Sequence, residues 1–366
     1  MTELVYFYPM YKTHSFTYVA KQHIAYLKQF YKIHEADEIV LDTMRWNSRK
    51  NIVLHPPLYF LAGHNWETYL QKKHRIKRLF ENAKTLIGIE VADTDRISDL
   101  AVQILNRFDA IVVPSEFCRQ VMFFSGVQTD VYVVPHGINP AFLTEDTSIR
   151  SESMRKLLSL KEERDYIFVL FFLAHSGFRK GADLVYEAMK RIQAEYKNVI
   201  LVVKRTDLID LLLPPLRRLR MIELSGWFSD RELRELYDVC DIVLCPSRGG
   251  GFELNALEGI ARGKPTIVTS AGCFMDYIQY TIPVKVKEKV KLFGDNIIHV
   301  GNGFTADIDD LTAKIAKVID NLDKYKRKFE EYAKIVRKEY TWENTGKKLV
   351  NVIKHVLGDG YDTVYI

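Results

Sequence analysis

Residues 245–268 read CPSRGGGFELNALEGIARGKPTIV, and this stretch decides the fold. It is entered from an apolar run, DIVLC at 241–245, that has the composition of a buried strand. Three consecutive glycines follow, Gly249, Gly250 and Gly251, and a helical pattern begins near Asn255. Glycine lets the backbone approach a ligand closely, and a helix N-terminus behind it offers unpaired N–H groups and partial positive charge. Strand, glycine loop and helix in that order suit a diphosphate. A structural account competes: Asn255 caps the helix, and Glu258, three residues on, reaches back to close a capping box. Three adjacent glycines exceed what a turn alone requires, and neighbouring cations tilt the balance toward a ligand.

Outward from this segment, short apolar runs alternate with longer amphipathic stretches, the pattern of parallel βαβ units. In the first half, 4–8, 39–41, 85–89, 110–113 and 131–134 read as strands, with helices over 16–30 and 65–82. The turn-forming PHGINP at 135–140 ends this half, and the polar stretch near 144–152 reads as a linker. The second half repeats the rhythm, with strands over 167–173, 199–203, 221–224, 242–245 and 266–269. Helical patterns cover 181–196, 230–239, 255–262 and a long segment after Asp309. The expected fold class is α/β: two Rossmann-like, doubly wound domains, 1–150 and 151–342, facing across a cleft. Ligands of such sheets bind at the carboxyl ends of the strands.

Composition sets the outer bounds. With 366 residues and 47% hydrophobic content, the chain buries two cores more naturally than one. A net charge of +5 is too mild to argue for a nucleic-acid partner, and none is expected. Cys118, Cys240, Cys245 and Cys273 lack the spacing of a zinc site or disulfide framework, which fits a reducing compartment. No signal-peptide pattern opens the chain, and the longest apolar run, IFVLFFLA at 167–174, is too short to span a bilayer. A cytoplasmic protein is expected. The basic run QKKHRIKRLF at 71–80 suggests peripheral contact with an anionic membrane or a grip on a phosphorylated acceptor, with a solvated surface helix as the rival.

Two further segments open at the same sheet edge as the glycine loop. HSGFRKGADL at 175–184 and VKR at 203–205 each directly follow a strand of the second half. Arg179 and Lys180 fall at a helix start, where cations sit poorly against the helix dipole. That mismatch favours an anionic ligand over a merely solvated surface. Together with Lys204 they can offset the charge of an anionic ligand. GWFSDREL at 226–233 places Trp227 and Phe228 between a strand turn and a helix cap; the rival for these aromatics is simple cover for the sheet edge.

These residues carry a resemblance. The chain is similar, over roughly its last two-thirds, to the retaining glycosyltransferases of family 4, whose donor motif reads approximately P-S-x-x-E-G-F-G-L-P-x-L-E-A-x-A-x-G-x-P-V. Pro246, Ser247, Phe252, Leu254, Leu257, Glu258, Ala261, Gly263 and Pro265 fall in register. The resemblance implies a GT-B fold whose last helix crosses back, so that about 343–366 complete the acceptor-binding domain 1–150 while 151–342 bind the donor. It further implies that Glu258 binds the ribose hydroxyls and that the backbone from Gly251 to Leu254 holds the diphosphate. Lys180 matches a family cation, and the loop of Trp227 and Phe228 would border the base. The first glutamate of the motif falls at Gly250 here, and Glu253 is expected to take over part of its role at a donor-sugar hydroxyl. The donor set is thus Arg179, Lys180, Lys204, Trp227, Phe228, Gly249, Gly250, Gly251, Phe252, Glu253, Leu254, Asn255 and Glu258.

In the first half, VVPSEFCR at 112–119 and VYVVPHGIN at 131–139 also look like family segments, and His136 stands at the turn between the halves. EVADTDR at 90–96 follows a strand, and Asp93 or Asp95 is expected to orient the acceptor hydroxyl or donor sugar. The D-x-D spacing invites comparison with metal-binding GT-A enzymes, but the two-domain pattern opposes it; a charged helix cap is the other rival. PMYKTHSF at 9–16 departs from the family's glycine-rich first loop, so Lys12, His14 or Ser15 would supply contacts there.

The implied reaction moves a hexose from a UDP- or GDP-sugar to a hydroxyl of a glycan, lipid-linked or other acceptor, with retention and without an obligatory metal or cofactor. Lys180, Glu253, Asp93 and Asp95 are the catalytic candidates. A GT-B-fold nucleotide-sugar epimerase and a non-catalytic nucleotide-sugar-binding protein are the alternatives. A nicotinamide dehydrogenase is disfavoured, since no strand leads into G-x-G-x-x-G.

Overall fold

Two six-stranded sheets, every pairing parallel, organise the chain. The computed structural model describes residues 1–12, 15–43, 46–173, 176–207 and 210–358, and divides into two units. The first comprises Met1–Gly137, Phe293–Asn302 and Tyr340–Ile366, and the second Ile138–Leu292 and Gly303–Glu339.

The first unit holds β1 (Glu3–Phe7), β2 (Lys32–Ala36), β3 (Lys50–Leu54), β4 (Ala83–Ile89), β5 (Ala110–Val113) and β6 (Val131–Val133) in the order β2-β1-β3-β4-β5-β6. Its apolar strands carry helices on both faces, as parallel sheets must. One face packs Val19-bearing helix Ser15–Leu27 and the last helix, Trp342–Leu357, through Ala20, Ile24, Leu349 and Ile353 onto Tyr6, Val53 and Ile87. The other gathers Leu58, Ile104, Leu105, Val121 and Met122 over Ile52, Leu86 and Ile111. The final helix therefore belongs to the first unit, as expected.

Two readings in this unit are corrected. Residues 39–41 are not a strand: a short helix, Val40–Thr43, starts after Asp37, whose carboxylate accepts the Ile39 N–H at 3.2 Å. The strands there are β2 and β3. β2 is a largely exposed edge, so its sequence KIHEA carries no apolar run to read. The helix expected over 65–82 is two, Trp66–Lys72 and His74–Asn82, the first closed by a reciprocal capping box between Asn65 and Thr68.

The second unit holds β7 (Ile167–Leu173), β8 (Val199–Arg205), β9 (Met221–Leu224), β10 (Ile242–Cys245), β11 (Thr266–Thr269) and β12 (Ile282–Val284) in the order β12-β11-β10-β7-β8-β9. A two-stranded ribbon, β13 (Val286–Lys291) with β14 (Asn302–Ala306), is added beyond it. The polar stretch read as a linker is instead a clamped strap of this unit. Arg234 and Arg262 donate to the carbonyls of Thr144, Asp146 and Ser148, while Glu235 accepts the N–H groups of Arg150 and Ser151 at 3.1 and 2.9 Å. The chain leaves the first unit earlier, at Gly137.

Candidate functional site

The second sheet reverses its strand order between β7 and β10, so the loops leaving those strands bound the crevice where ligands of such sheets bind. After β7 comes the short helix Gly177–Lys180, closed by Gly181 in the left-handed region at φ 77°. A side chain at 181 would collide with the Pro246 carbonyl oxygen, so the two loops touch because this residue is glycine. Arg248 stitches them further. Its N–H donates to the Arg179 carbonyl at 2.7 Å, and its buried guanidinium grips Asp183 through both carboxylate oxygens at 2.7 and 2.6 Å. It also donates to the Phe178 carbonyl and to Thr305 Oγ1.

Against this frame the two foremost catalytic candidates meet each other. Lys180 Nζ lies 2.7 and 2.6 Å from the two carboxylate oxygens of Glu253. Both are withdrawn from solvent, with 16% of the lysine side chain and 2% of the glutamate exposed. Arg179 is buried beside them and donates to the Gly249 carbonyl at 3.0 Å. Glu253 Oε1 stands 2.7 Å from where a Cβ on Gly250 would be, so the absence of a side chain at 250 makes room for this carboxylate. The backbone of Glu253 is held in turn by Tyr277, whose hydroxyl donates to its carbonyl at 3.1 Å.

The helix Leu254–Ala261 starts one residue earlier than read, with Glu253 at its cap and no side-chain cap bond. The Asn255–Glu258 capping box is therefore not formed. Glu258 turns inward, where Tyr237 Oη donates to Oε2 at 3.0 Å and also reaches the Asn255 carbonyl at 3.1 Å. Burial raises the Glu258 carboxyl from its usual range to about 7, with a smaller push from Asp230 and an opposing pull from the Tyr237 hydrogen bond. Lys204 is buried too. It donates to the carbonyls of Arg205 and Gly226 at 3.0 and 2.5 Å and lies 4.3 Å from the Phe228 ring centre, so it ties the 226–228 loop to the end of β8. These contacts make it a positioning group for that loop, and burial lowers its pKa. Trp227, 74% exposed, projects from the same loop. His175 lies outside the described residues.

The described first-unit candidates have partners of their own. Asp95 accepts the Asn302 N–H at 2.7 Å and donates its own N–H to the Asn302 carbonyl, so its carboxylate pins residues 301–302. Asp93 lies on the same turn, its N–H 3.5 Å from His299 Nδ1. Lys12 donates to Tyr59 Oη at 2.5 Å and Glu38 at 3.3 Å. Ser15 opens the helix Ser15–Leu27, and His14 lies outside the described residues. His136 is not at an open turn but buried, 5.9 Å from the Trp342 ring and 6.1 Å from His23, and burial lowers it to about 3. Part of the basic run 71–80 is paired within the unit: Arg75 grips Asp42 and Glu38, Lys72 approaches Glu38 at 3.4 Å, and His74 meets Asp42 at 2.9 Å, while Lys73 and Lys77 stay exposed.

Four residues with clear parts here had escaped the sequence reading. Tyr237 and Tyr277 act across tertiary contacts with no local signal. Arg248 was visible as a lone cation inside the motif. Glu90 ends β4, accepts the N–H groups of Leu58 and Val91 at 2.8 and 2.9 Å, and is raised to about 7 chiefly by burial.

The family described as "Family 4 Glycosyltransferase in conflict systems" matches residues 222–349. An uncharacterised protein, 356, of Sulfolobus islandicus rod-shaped virus 1 is 28% identical over 360 residues, covering 96% of this chain and 98% of its own. A protein provisionally named glycosyltransferase 45, of Sulfolobus islandicus filamentous virus, is 28% identical over 73% of each chain. The solved sucrose-phosphate synthase of Thermosynechococcus elongatus superposes with a TM-score of 0.69 over 98% of this chain and 100% of its own, at 13% identity, a likeness of fold. No helix among the described residues is long and apolar enough to cross a membrane. With two parallel Rossmann-like sheets, a last helix returned to the first unit and this structural neighbour, the chain has the GT-B fold, and over 222–349 it is similar to family 4 glycosyltransferases.

Proposed function

We propose that the chain transfers a hexose from a nucleotide-diphosphate sugar to an acceptor hydroxyl, with retention at the anomeric carbon and no obligatory metal. The observation that carries this reading is the buried Lys180–Glu253 pair beside the glycine loop and the start of helix Leu254–Ala261. A cation, backbone N–H groups and a helix N-terminus converge there, the means by which a departing diphosphate is stabilised. On donor entry, Lys180 exchanges a carboxylate oxygen for a phosphate oxygen, and Glu253 turns to a hydroxyl of the sugar. Glu258, held by Tyr237, accepts from the ribose hydroxyls, and Trp227 lies against the base. Asp93 or Asp95, on one turn of the first unit, orients the acceptor hydroxyl or donor sugar.

Thermal-shift measurements with UDP-, GDP-, ADP- and dTDP-sugars test the donor directly, because a ligand that binds only the folded chain raises its melting temperature. A shift with one of them, followed by glycoside formation with the same anomeric configuration in the NMR spectrum, is expected. Lys180→Ala should lower kcat roughly a hundredfold or more, the usual cost of losing one donor to a developing anion. No shift with any nucleotide sugar would sink the reading. Nucleotide release without a new glycoside would favour the epimerase, and tight binding without turnover the non-catalytic alternative.

A further inference from the structure

The first unit contains a concavity lined by none of the residues assigned so far. It has a volume of about 540 Å³ and is lined by Trp66, Ser98, Asp99, Leu100, Asp295 and Asn296, with Ile297 and Val300 beneath. That volume lies within the range of small-ligand pockets, roughly 300–1,000 Å³.

Its walls are fixed. Ser98 Oγ donates to the Ile297 carbonyl at 2.5 Å, the Ser98 N–H donates to Ile298, and the Ile297 N–H donates to His64, each of the latter two near 3.0 Å. An isolated antiparallel bridge joins Ile97 to His299. Asn296 Oδ1 accepts the N–H groups of Ile298 and His299, both at 2.8 Å, so the group it can offer a ligand is its NH2. On the rim, Trp66 is 62% exposed, although an indole is among the most costly side chains to leave in water. Its edge rests on Tyr69, with ring centres 5.8 Å apart, which steadies it.

We propose that this pocket binds a neutral saccharide. The pyranose C–H face is apolar and flat enough to pack on the Trp66 indole, while its edge hydroxyls need hydrogen-bond acceptors and donors. Asp99 and Asp295 supply acceptor oxygens, and the Asn296 amide supplies a donor. Among the lining residues Asp99 and Asp295 carry charge and no cation is present, so the wall is acidic, with Arg96 3.8 Å from Asp99. Phosphorylated sugars and nucleotides are therefore repelled, which separates this site from the diphosphate-binding edge of the second unit.

Calorimetric titration of the whole chain with mannotetraose, maltotetraose and chitotetraose, without any donor, tests the site independently of the transfer reaction. Saturable binding of at least one of them is expected, with Trp66→Ala weakening it about tenfold or more and Trp66→Phe keeping part of it. Asp99→Asn with Asp295→Asn should weaken it as well, and glucose 6-phosphate should bind less well than glucose. The indole is exposed, so unchanged melting of Trp66→Ala separates lost binding from lost folding. No saturable binding of any of the three, or binding that Trp66→Ala leaves intact, would overturn the proposal.

Discussion

The carboxylate of Glu253 lies 2.7 Å from the point where a side chain on Gly250 would begin. The two positions compete for one volume, and glycine at 250 is the condition for glutamate at 253. The glutamate that the family motif places at 250 and the one this chain carries at 253 are therefore alternatives, delivered to neighbouring space from different points of the loop. Gly250→Glu alone should crowd Glu253 and its partner Lys180, lowering kcat/KM for transfer by more than about tenfold. Gly250→Glu with Glu253→Gly should recover part of that loss. Glu253→Ala with unchanged donor affinity and turnover would remove Glu253 from the site.

Donor binding should depend on pH through Glu258. Its folded pKa is about 7, raised chiefly by burial, so the protonated form is populated below that value. An ionised carboxylate accepts from ribose hydroxyls better than a carboxylic acid does. Donor binding below pH 7 must then release a proton, and affinity should weaken as pH falls through 7 and level off above it. Titrations of wild type and Glu258→Gln across roughly pH 5.5 to 8.5, about one and a half units either side of that pKa, separate the cases. The variant should bind more weakly, with a flat profile; a slope equal to wild type would assign the dependence elsewhere.

The second sheet was legible because β7, β8, β10 and β11 are nearly continuous apolar runs buried on both faces. β2 was not, because an exposed edge strand needs no apolar face. The site divides in the same way. Lys180, Glu253 and Glu258 follow strand ends and can be placed by local pattern. Tyr237 meets Glu258 across 21 residues, and Arg248 meets Asp183 across 65, so both contacts arise only from the tertiary fold. The supposed linker failed for a similar reason. Its polar residues are satisfied by Arg234, Arg262 and Glu235, far along the chain, and polarity alone does not distinguish a clamped strap from a free one.

Arg248 should be costly to remove for the contacts it makes within the protein. Arg248→Ala strands the Asp183 carboxylate and the Phe178 carbonyl and detaches Thr305 from the glycine loop. Asp183 is partly solvated, which limits the loss to about 2–3 kcal/mol, less than for a fully buried pair. Urea denaturation should show this loss. Arg248→Lys should recover little, since an ammonium cannot span both carboxylate oxygens and the carbonyl. A variant as stable as wild type would refute the stitching role.

Acid should destabilise the first unit through its buried imidazoles. Tyr6 Oη lies 3.1 Å from Nδ1 of both His23 and His55, and His23 stacks on His55 with ring centres 5.7 Å apart. Burial holds His136 at about 3 and His23 well below its ordinary value. A depressed histidine is neutral in the fold but takes up a proton on unfolding, so its contribution is present above its unfolded pKa of about 6.5. It is lost progressively as pH falls from there toward 3. The raised carboxyls of Glu90 and Glu258 act in the opposite sense, gaining stability as pH falls from 7 into the ordinary carboxyl range. Wild-type melting alone therefore mixes the terms, whereas the difference between wild type and His136→Asn isolates one of them. That difference should shift against wild type as pH drops from 6.5 to 4, a window set by the histidine's unfolded and folded values. Parallel curves for the two proteins would show that His136 does not titrate on unfolding.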